Sequence, residues 1–300
     1  ICLGLDIREM FLQIGLDDTS ARYHRFIWWG PNRELILYEF AVHSFGNTGS
    51  PAVATFVLKD TAQESIANAP RAVEAIVESS LLDDILDSFE SVEEAMQTLQ
   101  HILGILQACG FVGHKFSSNS WDVLTMVPEE YRAKDLGMSP PSDPALPTVK
   151  VLGLLFRSDI DKFTFAFDVP NFRTWTKKTI LKTFPRLFDP LGFMGPFIIK
   201  ARLVFRSSVE RLLKWDEPLP ADIYKDWEAW LTSVKGVSSI SLPRPSRLNG
   251  PLTGEEIHIF SDASEYALCS AAYRVTVYAN GDRHATLLVS RTRVAPIKTL

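Results

Sequence analysis

Aspartates set inside apolar runs constrain this chain more than any other feature. Leu3-Gly4-Leu5-Asp6-Ile7 carries one, and Ser80-Leu81-Leu82-Asp83-Asp84-Ile85-Leu86 carries two side by side. A carboxylate among apolar neighbours is costly unless a cation or hydrogen-bond donors neutralise it. Such runs therefore read either as strands whose acidic ends share a polar site, or as a hairpin with a solvated tip. Three carboxylates brought together suit a pair of Mg2+ ions, because hard cations take oxygen ligands. Two such ions about 4 Å apart clamp the attacking and leaving oxygens of a phosphoryl transfer.

The remaining composition is that of an ordinary globular protein. With 46% apolar residues, 300 residues can bury about two cores. Cys2, Cys109 and Cys269 have no paired spacing, so they read as small buried hydrophobes in a reducing compartment and not as a disulfide framework or zinc site. No apolar run approaches the roughly 20 residues of a membrane span and no basic leader is present, so the chain reads as soluble, with no membrane partner. It opens on Ile1 within a strand-like segment, as a piece of a longer chain does. The net charge of -5 conceals two opposed segments. From Leu58 to Gln100 ten acids face only Lys59 and Arg71, whereas from Asn171 to Lys214 ten bases face only Asp189 and Glu210. An acidic, metal-suited region followed by a basic one fits a protein that handles phosphates, although a solvated helix face accounts for the bases equally well.

Periodicity and turn signals give a coarse order of elements. Residues 2–6 read as a strand, and 26–29 with 35–41 as a hairpin around Gly30-Pro31-Asn32. Ser50-Pro51 opens a helix over about 52–66. A strand through Ile76 and Val77 runs to Leu82, with Asp83 and Asp84 at the hairpin tip and Ile85-Leu86 returning. Ser91 with Glu94 forms a capping box for a helix that Gly110 ends. A strand over 111–116, a proline-rich loop over 139–147 and a hairpin through 149–156 and 163–167 follow. Residues 171–240 read as helices broken at prolines, residues 242–251 as a linker, and 257–260, 271–277 and 286–289 as three meandering strands.

The order of these motifs resembles the reverse transcriptase region of a BEL/Pao-type retrotransposon Pol polyprotein. The resemblance rests on Asp6 to Ile14, His24 to Trp28, Tyr38 to Phe40, Phe45 to Pro51, Leu81 to Leu86, Gly110 to Asn119 and Val151 to Leu154. It continues through Leu187 to Gly192, Lys214 to Glu217, Phe260 to Ser264 and Ser290 to Pro296. It implies an α+β fold in three parts: a palm of antiparallel sheet and packed helices over 1–168 with partial fingers, a helical thumb or connection region over 169–245, and the truncated start of a ribonuclease H-like domain over 252–300.

The implied activity is RNA-directed DNA polymerisation on an RNA or DNA template-primer with deoxynucleoside triphosphates. Asp6, Asp83 and Asp84 are the implied catalytic carboxylates and the ligands of two Mg2+ ions, with Mn2+ as a substitute. Phe11 is implied as a filter against ribonucleotides, and Gln13, Phe45, Gly46, Ser50, Pro51 and Lys115 as nucleotide or template contacts, Lys115 also as a proton donor to pyrophosphate. Leu152 and Gly153 lie at the implied primer grip. Asp262 corresponds to the first carboxylate of a ribonuclease H site whose other ligands would follow Leu300, so ribonuclease activity is not expected of these residues. An aspartic-protease reading of Asp262-Ala263-Ser264 lacks the required glycine and a second copy. Partners implied are the protease and integrase of the same polyprotein, in cytoplasmic element particles. Leu81 stands where the family carries an aromatic, and the alternative reading is a catalytically dead, partial remnant that at most binds nucleic acid.

Overall fold

The computed structural model describes residues 1–136, 146–244 and 251–296. Helices and antiparallel sheets make up the chain, the expected α+β class. It divides into two compact units, residues 1–152 with 157–160, and residues 153–156 with 161–300.

The first unit runs β1 (Cys2–Ile7), α1 (Asp18–Ala21), β2 (Arg25–Trp29), β3 (Leu35–Glu39), α2 (Ser50–Gln63), α3 (Pro70–Glu78), β4 (Ser80–Leu81), β5 (Asp84–Ser88), α4 (Val92–Ala108), β6 (Gly113–Ser118), α5 (Trp121–Thr125) and β7 (Thr148–Val151). Its main sheet has the order β4-β5-β1-β6, with β1 antiparallel to both neighbours. Strand alternation sends Leu3, Leu5 and Ile7 to one face of β1 and Gly4 and Asp6 to the other. The first face packs with Ile85, Leu58 of α2, Ile76 of α3, and Leu99 and Ile102 of α4 into a single core. Helices thus cover one face of the sheet, and the aspartates lie on the opposite one. A separate ribbon of β2 and β3 exposes Ile27, Trp28, Trp29, Leu35 and Leu37.

Several elements differ from the sequence expectations. Ile76 and Val77 belong to α3 and not to a strand. Pro70 starts this helix, and Ala72, Val73, Ala75 and Ile76 form its buried stripe, so helical burial overrides the strand preference of a short β-branched pair. The strand before the paired aspartates is consequently only Ser80–Leu81. At the cap of α4, the Ser91 hydroxyl accepts from the Glu94 N–H at 3.1 Å. Glu94 completes no box with Ser91; its carboxylate accepts from the Glu90 N–H and from Arg71. Residues 137–145 of the expected proline-rich loop, and 245–250 of the expected linker, lie outside the described residues.

After a turn in which Leu152 and Gly153 both have positive φ come β8 (Leu154–Arg157), β9 (Lys162–Thr164), α6 (Lys177–Thr183), α7 (Gly195–Glu210), α8 (Ala221–Val234), β10 (Ser241–Pro243), β11 (Leu252–Ala263), β12 (Ala267–Tyr278) and β13 (Arg283–Val294). Leu242-Pro243, expected in a linker, is therefore strand, paired with Phe163 and Lys162. The second core centres on Trp227 and Trp230 of α8, stacked at 4.6 Å, with Ile180, Phe184 and Leu213 around them. The three expected meandering strands form the sheet β11-β12-β13, longer than the apolar segments because polar residues continue each strand.

Candidate active site

Register places the aspartates on neighbouring strands. Asp6 of β1 is the direct cross-strand partner of Asp84 of β5, and side chains so opposed share a face with Cβ atoms about 5 Å apart. Asp83 sits in the two-residue turn between β4 and β5, where its carbonyl accepts the Ile7 N–H at 2.7 Å. The turn is tight because Leu82 adopts φ 57°, a conformation an L-residue takes only under constraint. Burial first, and then the charges of Asp83 and Asp6, push the Asp84 carboxyl above the usual carboxylate range, while Lys115 opposes them. Asp84 therefore senses both of the other carboxylates.

Asp6 has two further partners. Lys115 Nζ donates to its Oδ2 at 2.7 Å, and His114 Nδ1 lies 3.3 Å from its Oδ1 and 3.1 Å from its main-chain oxygen. Both of these oxygens are acceptors, so a hydrogen bond to either needs a proton on Nδ1. Among the described residues no group of three or more His, Cys, Asp or Glu side chains stands together so as to hold a metal ion. The carboxylate oxygens of Asp6, Asp83 and Asp84 are nonetheless donors of the right chemistry for a hard divalent cation, and the repulsion felt at Asp84 is what such a cation relieves.

The other residues singled out from sequence fall as follows. Phe11, in the short turn Met10–Gln13, packs edge-to-face on Phe45 at 5.4 Å, and Gln13 is exposed. Gly46 has φ 90°, with open space where a Cβ would stand. Ser50 is buried at the start of α2, its hydroxyl donating to the Ser44 carbonyl at 3.0 Å, and Pro51 occupies the first helical turn. A Cβ on Gly153 would meet the Phe188 ring at 2.5 Å, and Leu152 beside it is exposed. Asp262 lies near the end of β11 and lines a cavity of about 470 Å3 with Phe193, Ser264, Cys269 and Ser290. Of the bases between 171 and 214, Lys177 donates to the Leu213 carbonyl, Arg202 to the Thr292 carbonyl, and Lys178, Arg206 and Arg211 pair with Asp216, Glu210 and Asp222. His114 had no assignment from sequence, since plain alternation would turn it and Lys115 to opposite faces.

The comparisons with known proteins bear on both units. Residues 176–300 match the model of the Pao retrotransposon-like RNaseH-like domain. Among solved structures, the foamy viral protease-reverse transcriptase dRH in complex with double-stranded DNA superposes with a TM-score of 0.54 at 15% identity, over 98% of this chain and 43% of that one. At that identity the likeness is one of fold, and this chain spans less than half the length of that protein. No curated protein matches the sequence. Residues 176–300 thus match the model of the Pao retrotransposon-like RNaseH-like domain, consistent with the Pao-type Pol region that the ordered motifs implied, and the chain has a fold similar to that of a reverse transcriptase.

Proposed function

We propose that the chain is the RNA-directed DNA polymerase region of a Pao-type retrotransposon Pol protein. The observation that carries this reading is the cross-strand pairing of Asp6 with Asp84, on the sheet face opposite the helices, next to the turn that holds Asp83. A rigid sheet with one helix-covered face leaves its other face for a large substrate, and a template-primer duplex is such a substrate. Asp6, Asp83 and Asp84 would hold two Mg2+ ions, or Mn2+ in their place. When bound, these ions supply activation of the primer 3′ hydroxyl and neutralisation of the pyrophosphate leaving group. Phe11, buttressed by Phe45, stands at the sugar of the incoming deoxynucleoside triphosphate, and the open space at Gly46 admits substrate close to the backbone. Leu152 and Gly153 support the primer end, and Lys115 contacts the triphosphate.

The fold neighbour was solved with double-stranded DNA, which supports a nucleic-acid ligand for this chain as well. We assign Asp262 as the first carboxylate of the ribonuclease H-like site, the protease and integrase of the same polyprotein as partners, and cytoplasmic element particles as the setting. Among the described residues no helix is long and apolar enough to cross a membrane.

Primer extension on an RNA template tests the proposal. Extension that requires Mg2+ and is lost in Asp83→Asn is the expected result. Equal extension by the variant rejects the assignment. Salt-sensitive duplex binding without extension by either protein would favour a non-catalytic nucleic-acid binder.

A further inference from the structure

Resting on the metal-site reading above, we infer that Lys115 competes with the divalent cation for Asp6 and so sets how tightly this site binds metal. The geometry that carries the inference is a β-bulge. Opposite β1, β6 keeps Gly4↔Ser117 but then pairs Asp6 with His114 where an unbroken ladder would give Lys115. One extra residue is thereby inserted at Lys115-Phe116, which adopts φ 53° at Lys115. An extra residue in one strand re-aims the side chains beside it, and here it brings two consecutive residues onto one carboxylate. His114 reaches Asp6 Oδ1 and its carbonyl, and Lys115 reaches Oδ2 at 2.7 Å. The Asp6 side chain is only 18% exposed, whereas Lys115 is 61% exposed. The carboxylate is therefore fixed and the ammonium is the movable partner. A left-handed conformation at a lysine is held only where surrounding contacts impose it, so the ion pair is built into the strand and does not arise from a wandering surface side chain. For a cation to take Asp6 Oδ2, Lys115 must swing away, which its flexible four-carbon stem permits. Displaced from Asp6, its ammonium is then free to meet another anion at the same site.

Mn2+ binding measured by electron paramagnetic resonance on the purified chain, without nucleotide or primer, tests this. Lys115→Met and Lys115→Gln, which both remove the ammonium and of which either suffices if the other folds poorly, should bind Mn2+ three- to tenfold more tightly than the parent. Lys115→Arg should bind within twofold of it. Unchanged or weaker binding by the neutral variants, relative to a parent that binds, overturns the competition. Failure of the underlying reading looks different: the parent then binds no Mn2+, or Asp83→Asn binds it as well as the parent does.

Discussion

Replacing Gly192 by alanine should loosen the second unit more than any other single methyl addition at a described glycine. Gly192 has φ 81°, and its missing Cβ would lie 2.0 Å from the Ser290 carbonyl oxygen, a contact that backbone cannot relieve without moving. Alanine in the left-handed region costs about 1 kcal/mol. Relieving the clash must part the turn from β13. That breaks the bond from the Ser290 N–H to the Leu191 carbonyl at 2.7 Å and the bond from the Ser290 hydroxyl to the Gly192 carbonyl at 2.6 Å, each worth about 1 kcal/mol net. The expected loss is thus about 3 kcal/mol. Gly281→Ala serves as the control, because Gly281 too has a positive φ, 90°, but nothing within 4 Å of its would-be Cβ, so only the conformational cost of about 1 kcal/mol remains. Hydrogen exchange over residues 283–294, read beside the urea transition of the second unit, distinguishes the two. Equal losses for both variants would refute the claim that close approach of Gly192 to β13 holds this part of the fold.

Arg71→Ala should cost about 1–3 kcal/mol, because Arg71 joins Asp87 at 2.7 Å and Glu94 at 3.2 Å while stacking on Phe89, and its removal strands the largely buried Asp87; a thermal midpoint unchanged from the parent would count against this. Trp227→Ala, at a fully buried stacked indole, should cost about 3–5 kcal/mol, read by urea unfolding of the second unit. Burial pushes the Asp189 carboxyl above its ordinary value, despite N–H bonds from Phe193 and Met194. An acid whose folded pKa is raised favours the fold most when protonated, so its contribution declines as pH rises from the ordinary carboxylate value through the raised one. The stability difference between parent and Asp189→Asn should therefore shift with pH across that window and be flat above it; a difference constant from pH 3 to 7 contradicts the assignment. Phe11→Ala should lower discrimination against ribonucleotides at least tenfold, measured as a ratio of kcat/KM values, if the ring screens the sugar.

Much of the first unit was legible because its signals are local. The alternation in Leu3 to Ile7, the Ser50-Pro51 helix start and the glycine at 110 each state their element within a few residues. The helix over Pro70–Glu78 is hidden in the sequence because the β-branched pair Ile76-Val77 signals a strand, whereas the 72, 73, 75, 76 stripe is what the core buries. The long strands of the last sheet were clipped because Glu255, Glu256 and Arg293 look like loop residues until pairing with β12 is known. In the candidate site, the proximity of Asp6 to Asp84 could be anticipated from apolar strands bearing aspartates. The part taken by His114 could not, because it depends on a bulge and on positive φ at Lys115, and neither glycine nor asparagine marks that position.

The proposed polymerase function stands or falls with Asp6, Asp83 and Asp84 as the residues that would hold the catalytic cations. Anomalous diffraction at the manganese edge, from crystals of the chain grown with template-primer, a deoxynucleoside triphosphate and Mn2+, tests it most directly. The expected result is manganese peaks at the carboxylates of Asp6, Asp83 and Asp84, with Lys115 turned away from Asp6. Bound nucleotide with manganese held elsewhere, and the Lys115 to Asp6 pair intact, would contradict it.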